Sequence, residues 1–203
     1  MILLVGIDMF LEESRLTLAE EALRKGEVIG LPTETVYGLA ANPYSEVGME
    51  KLFSLKQRDR SKPISLLIDS FSSFCKLNIV SDYTDTLSLY WPGPLTVIVE
   101  TNEKFAYGVG TVNPNSVGIR VPDHDTTSAF LKKTGPLAVT SANVSGNQEA
   151  LSHIDAENVF KEEIVHYIKG TATLNKPSTV VDLRVPGGKI LREGPLRWPP
   201  SYC

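Results

Sequence analysis

Short apolar runs recur along this chain: VIGL at 28–31, ISLLI at 64–68, LTVIVE at 95–100, SVGIRVP at 116–122, LAVTS at 137–141 and TVVDL at 179–183. Each has the length of a strand and is rich in β-branched residues, and near-continuous apolar runs of this kind belong in a sheet covered on its faces. Helix-period segments separate them, and the alternation predicts an α/β fold class with a largely buried, twisted sheet. No internal repeat, low-complexity linker or break in composition divides the chain. Residues 1–203 therefore read as a single domain with an irregular, proline-rich tail after about 195.

Local signals set the expected boundaries. Thr17 and Glu20 form a capping-box pattern, followed by Ala22 and Leu23 and closed by Gly26, which predicts a short helix starting at Thr17. Val47, Leu52, Phe53 and Leu55 predict a helix over 46–56, and the run KQRDRSKP at 56–63 then joins it to the strand at 64. Further helices are expected near 82–90 and 126–133, with strands at VHYIK (165–169) and KILR (189–192).

A hydrophobic fraction of 42% over 203 residues is enough to build a core. The formal charge of −4 argues against a broad basic face for wrapping duplex nucleic acid and leaves room only for a local cationic patch. The opening MILLVGIDMF is apolar but short and interrupted by Asp8, with neither a basic leader nor a small-residue cleavage site, so no signal peptide or membrane span is expected and the chain reads as cytoplasmic. Cys75 and Cys203 are expected to be plain thiols. Without a CxxC or a Cys/His cluster no metal site is expected.

Against this acidic background, Lys56, Arg58, Arg60 and Lys62 crowd into one stretch with a single acid, Asp59. A solvated face would explain such a run, and so would an anionic ligand. Ligands of α/β sheets sit where strands give way to loops. The polar residues at such places are Thr33 and Thr35 in LPTETVYGL, Arg120 in VGIRVP, Thr140, Ser141 and Asn143 in TSANVSG, Ser178 in PSTVVDL and Arg192 in ILREG. Turn and capping roles compete for the hydroxyls and the amide, whereas a guanidinium on an apolar strand needs an anion or several acceptors. There is no GxxxxGK[ST], and GVGTVN lacks the last glycine of GxGxxG, so a nucleotide would have to be held by side chains. Lys56, Arg58 and Lys62 match the charge of a triphosphate.

Taken together, PTETVYGL at 32–39, Lys56 and Arg58 followed by Lys62-Pro63, WPGPLT at 91–96, the SxN of Ser141 and Asn143, PSTVVDL at 177–183 and ILREG at 190–194 resemble the YrdC-like threonylcarbamoyl-AMP synthases over about residues 14–194. The resemblance implies a twisted mixed-sheet fold around a deep basic cavity. It also implies synthesis of threonylcarbamoyl-adenylate and pyrophosphate from L-threonine, bicarbonate and ATP with magnesium. Partner proteins would then transfer the threonylcarbamoyl group to the tRNA adenosine next to the anticodon, and direct contact with tRNA is possible in such a system. By motif, Lys56, Arg58, Ser141 and Asn143 would serve catalysis. Lys56, Arg58, Lys62, Thr140, Ser141, Asn143, Ser178 and Arg192 would bind ATP, and Thr35, Thr33, Ser116 and Arg120 would bind threonine.

Relatives commonly have proline where Asp59 stands, and some have a histidine near ISLLI that this chain lacks. Two other readings compete. Ser73 to Lys76 is an SxxK and Lys133 to Gly135 a KTG, the signatures of penicillin-interacting serine enzymes, but here KTG precedes SxN and is expected to end a helix. The other is a non-catalytic RNA- or nucleotide-binding module of the same fold, for which aromatic residues should alternate with the basic ones; 51–63 offers only Phe53.

Overall fold

The computed structural model describes residues 2–77, 79–80, 83–112 and 115–198; Cys203 and the end of the expected tail lie outside them. In chain order the elements are α1 (Ile2–Arg24), β1 (Ile29–Leu31), β2 (Gly38–Ala41), α2 (Glu46–Lys56), β3 (Ser65–Leu67), α3 (Phe71–Lys76), β4 (Ile79–Val80) and α4 (Thr84–Ser88). There follow β5 (Leu95–Thr101), β6 (Thr111–Val112), β7 (Asn115–Arg120), α5 (Asp125–Thr134), β8 (Leu137–Ser141), α6 (His153–Phe160), β9 (His166–Tyr167), β10 (Thr179–Asp182) and β11 (Lys189–Arg192). One sheet runs in the order β11-β10-β5-β7-β3-β8-β2-β1-β9, with β4 beside β5 and β6 beside β7. It is mixed: β1 with β9, β5 with β10 and β3 with β7 are parallel, and the other pairs are antiparallel.

Local chemistry explains several boundaries. The Ser45 hydroxyl accepts from the Gly48 amide to open α2, and Gln57 closes it in the left-handed region at φ 48°. Ser152 and Asp155 form a reciprocal capping box on α6. The stop expected at Gly26 is present, with φ 79° and its amide bonded to the Leu23 carbonyl. The expected start at Thr17 is not. The helix is already running by Ile2, and the Thr17 hydroxyl bonds back to the Glu13 carbonyl four residues earlier, which a threonine inside a helix does.

Alternation along the strands divides the core in two, because successive side chains leave a strand on opposite faces. Leu39, Ala41, Leu66, Ile68 and Ala138 join a cluster with Met49, Leu52 and Phe53 of α2, Phe74 of α3, Leu87 of α4 and Phe160 of α6. Ala40, Leu67, Leu137, Ile29 and Leu31 join the opposite cluster, with Ala19, Ala22 and Leu23 of α1 and Phe130 and Leu131 of α5. On that second face the strands β7, β5 and β10 carry no large apolar side chains that join the cluster. The period-two positions there are Ser116, Gly118 and Arg120 on β7, Thr96, Ile98 and Glu100 on β5, and Val180 and Asp182 on β10, with Ser178 just ahead of that strand.

Candidate active site

A cleft of about 720 Å³, counted with its open mouth, lies over Arg120, Thr96 and Ser178. Thr33 and Thr35 from the β1–β2 loop, Arg58, Ser65, Thr96, Arg120, Thr140, Ser141, Ser178 and Arg192 all reach it. Segments far apart in sequence are therefore gathered by the crossovers of one sheet.

At one end the Thr33 hydroxyl donates to the Val36 carbonyl (2.6 Å) and lies 2.9 Å from the Thr35 hydroxyl. Arg120, 6% exposed, donates from Nη1 to Thr35 Oγ1 (2.8 Å) and from Nε to the Gly93 carbonyl (3.2 Å), and its Nη2 is paired with Glu34 Oε2. The turn WPGP thus supplies an acceptor for the arginine. The Gly93 amide bonds to the Val121 carbonyl and Trp91 Nε1 to the Leu95 carbonyl, and these two bonds fix the turn. The acceptors that a guanidinium on an apolar strand requires are all internal, and Glu34 is its anion. The second carboxylate oxygen of Glu34 is buried with no partner among the described residues. At the other end the Thr96 and Ser178 hydroxyls meet at 2.8 Å, and Arg192 donates to the Ser178 carbonyl (2.9 Å) and hydroxyl (3.1 Å).

Lys56 and Arg58 part company. Gln57 turns the chain at the end of α2, so the Lys56 ammonium points inward, 1% exposed, and bonds to the Ser141 carbonyl, the Asn143 carbonyl (2.8 Å) and Asn143 Oδ1 (3.0 Å). The Asn143 amide is committed too: its oxygen also accepts from the Ser141 hydroxyl (2.7 Å), and its nitrogen donates to the Asn147 carbonyl (2.8 Å). Neither residue lines the cleft. Arg58 does, held by bonds to the Lys62 (2.9 Å) and Pro63 (3.2 Å) carbonyls. Lys62 itself is exposed and off the cleft wall, and Ser116 lies in an adjoining lobe, away from Thr35 and Arg120. Asp59 turns to the Ser61 amide (2.9 Å), and its bonds to Ser61 are the main reason its carboxyl is held below the usual range.

The cations bear the marks of crowding. Burial pushes Arg192 below its usual pKa, and Arg120 and Arg58 push it further down, against a smaller pull from Glu149. Burial lowers Arg58 as well, opposed by Asp59. Lys56 is lowered to about 8, first by burial and then by Arg58. Among the described residues neither Arg58 nor Arg192 is ion-paired. Guanidinium groups that face one cleft without an ion-pair partner among the described residues suit it to an anionic ligand. No group of three or more His, Cys, Asp or Glu side chains among the described residues could hold a metal. Ser65 and Thr96 are polar cleft residues not picked out from the sequence, and Glu34, which pairs with Arg120 off the cleft wall, was missed as well; the position of Thr96, alternating with buried Leu95 and Val97, was the available signal. Ser73 of the SxxK lies in α3, off the cleft, and Thr134 of the KTG ends α5.

The sequence profile of Sua5/YciO/YrdC, described as telomere recombination, matches residues 21–194. A threonylcarbamoyl-AMP synthase of Pseudomonas entomophila (strain L48) is 32% identical over 183 residues, covering 89% of this chain and 97% of the relative. One from Vibrio campbellii (strain ATCC BAA-1116) is 31% identical over 180 residues, covering 86% and 96%. Sua5 of P. abyssi, solved in complex with L-threonine, superposes with a TM-score of 0.83 at 31% identity; the match covers 89% of this chain and 54% of that one, so this chain spans about half the length of Sua5. With the profile spanning both cleft ends, from the β1–β2 loop to Arg192, this chain belongs to the Sua5/YciO/YrdC family.

Proposed function

We propose that this chain is an L-threonylcarbamoyladenylate synthase, a nucleotidyltransferase acting in the cytoplasm on L-threonine, bicarbonate and ATP, with magnesium arriving on the nucleotide. The observation that carries the reading is a cleft that gathers Arg58 and Arg192, neither ion-paired among the described residues, with the Thr96 and Ser178 hydroxyls, and whose other end presents Thr35 and Arg120. Relatives similar over most of this chain are named for that activity, and the Sua5 neighbour was solved with L-threonine.

The chemistry suits the geometry. The threonine amine adds to bicarbonate with loss of water, giving a carbamate; a carbamate oxygen then bonds to the α-phosphorus as the bond to pyrophosphate breaks and its electron pair leaves with that group. The nucleophile is already an anion, so little covalent help is needed. The task is to force two anions together in line and stabilise the charge that moves to the leaving group, which positioned cations do. The product would pass to partner proteins that modify the tRNA adenosine beside the anticodon. Pyrophosphate release from ATP should require both threonine and bicarbonate. Equal rates with either omitted would reject the synthase.

A further inference from the structure

Of the three arginines that line the cleft, Arg58 and Arg192 have no ion-pair partner among the described residues, whereas Arg120 is paired with Glu34. Each side chain of that pair is 7% exposed. Thr33 and Thr35 line the cleft and Glu34 between them does not, so its carboxylate meets the guanidinium from the protein side. Its second oxygen is buried and has no partner among the described residues. A neutral amide in that place could accept the same bond from Arg120 with less desolvation. What a carboxylate adds is its charge.

That charge bears on which anion each end of the cleft accepts. A guanidinium has five N–H donors, and the bonds to the Gly93 carbonyl, the Thr35 hydroxyl and Glu34 leave Arg120 two of them. Two donors suffice for one carboxylate. A phosphate chain carries more charge, and at Arg120 it would meet the Glu34 anion directly behind, with little water to screen the repulsion. At Arg58 and Arg192 it would meet no such anion. A cleft with three unopposed arginines would hold a polyanion at either end; this one distinguishes its ends.

We propose that Glu34 determines specificity at the Arg120 end: its charge behind the guanidinium admits a lone carboxylate and turns phosphate anions away, so that an amino acid and a nucleotide sort to opposite ends of one cationic cleft. The assignment rests on the reading of the cleft as an adenylate-forming site. Glu34 is a positioning residue, acting through Arg120 and touching neither substrate.

Calorimetric titration of the full chain with L-threonine or ATP, with and without inorganic phosphate, tests this in the absence of turnover. In the wild type, phosphate should weaken ATP and leave the threonine affinity unchanged. Glu34→Gln keeps an acceptor for Arg120 but not the charge. Phosphate at the concentration that spares the wild type should weaken threonine roughly tenfold or more in that variant. Glu34→Asp keeps the charge on a shorter arm and should still exclude phosphate, even with threonine bound less well. Phosphate that displaces threonine from the wild type overturns the assignment without recourse to a variant, and so does a wild type that binds no threonine. A folded Gln variant that still excludes phosphate overturns it too, as does an Asp variant that admits phosphate, which would make geometry rather than charge the cause. If the anions sort as stated but pyrophosphate release needs neither threonine nor bicarbonate, Glu34 keeps its role and the synthase reading falls; if release needs both and phosphate competes with threonine in the wild type, the synthase stands and Glu34 loses the role.

Discussion

Lys56 and Arg58 stand two residues apart and do different work. The lysine holds the 141–143 loop from behind, while the arginine faces the ligand space. Lys56→Met would leave two buried carbonyls and an amide oxygen short of a donor, at about 1–3 kcal/mol for each group left unsatisfied. It should lower the melting temperature and the turnover together. Arg58→Ala should melt within about 1 kcal/mol of wild type, while turnover falls roughly 10²-fold, the scale for a lost electrostatic contact. Differential scanning calorimetry beside the pyrophosphate assay separates the two, and matching melts for both variants would contradict the placement. Lys56 also sets a pH response. The folded chain keeps its proton up to about 8 and the unfolded chain to 10.5, so across that window unfolding takes up a proton. Linkage alone then favours the fold as pH rises, while the loop loses one of its donors. Wild-type turnover should therefore fall above about pH 8 without a parallel fall in melting temperature. The motif around Lys56 and Arg58 was legible as a cationic cluster. Its division of labour was not, because a single left-handed residue, Gln57, decides which way each side chain points. The Glu34–Arg120 pair, 86 residues apart, was equally hidden.

The strands at 28, 64, 95, 116, 137 and 179 were legible because apolar runs of strand length leave few alternatives, and the helices over 46–56 and 126–133 because period and flanking residues agree. Strand β2, GLAA, passed unnoticed: it has one large apolar residue, and pairing with β1 and β8 on either side makes it a strand. The capping-box pattern at Thr17 misled for a related reason. The pattern records a local option, and upstream residues that extend the helix remove the need for it. Two substitutions distinguish a true cap from a false one. Ser152→Ala should cost about 1 kcal/mol, the worth of an N-cap, whereas Thr17→Ala should be neutral or slightly stabilising because alanine is the better residue inside a helix. Urea unfolding midpoints measure both, and a loss at Thr17 equal to that at Ser152 would restore the helix start to that position.

At the scale of the whole molecule, the site exists because helices cover one face of the sheet incompletely. Helices α1 and α5 pack over β1, β2, β8 and β3, and Arg120 of β7, Thr96 of β5 and Ser178 at the entry to β10 are left facing the cleft. That much follows from alternation once strand order is known, and strand order depends on crossovers that sequence periodicity does not encode. The order also puts Arg192 on β11, the outermost strand, bonded to a neighbour on one side only and exposed along its length. A ligand gripped by Arg192 would then tether the margin of the sheet to its centre, so occupancy should be felt as stiffening of the rim. Amides of 189–192 should trade hydrogen for deuterium quickly in the empty protein and markedly more slowly with ATP present. Unchanged exchange there would mean that the rim is rigid on its own and that the receptor is preformed.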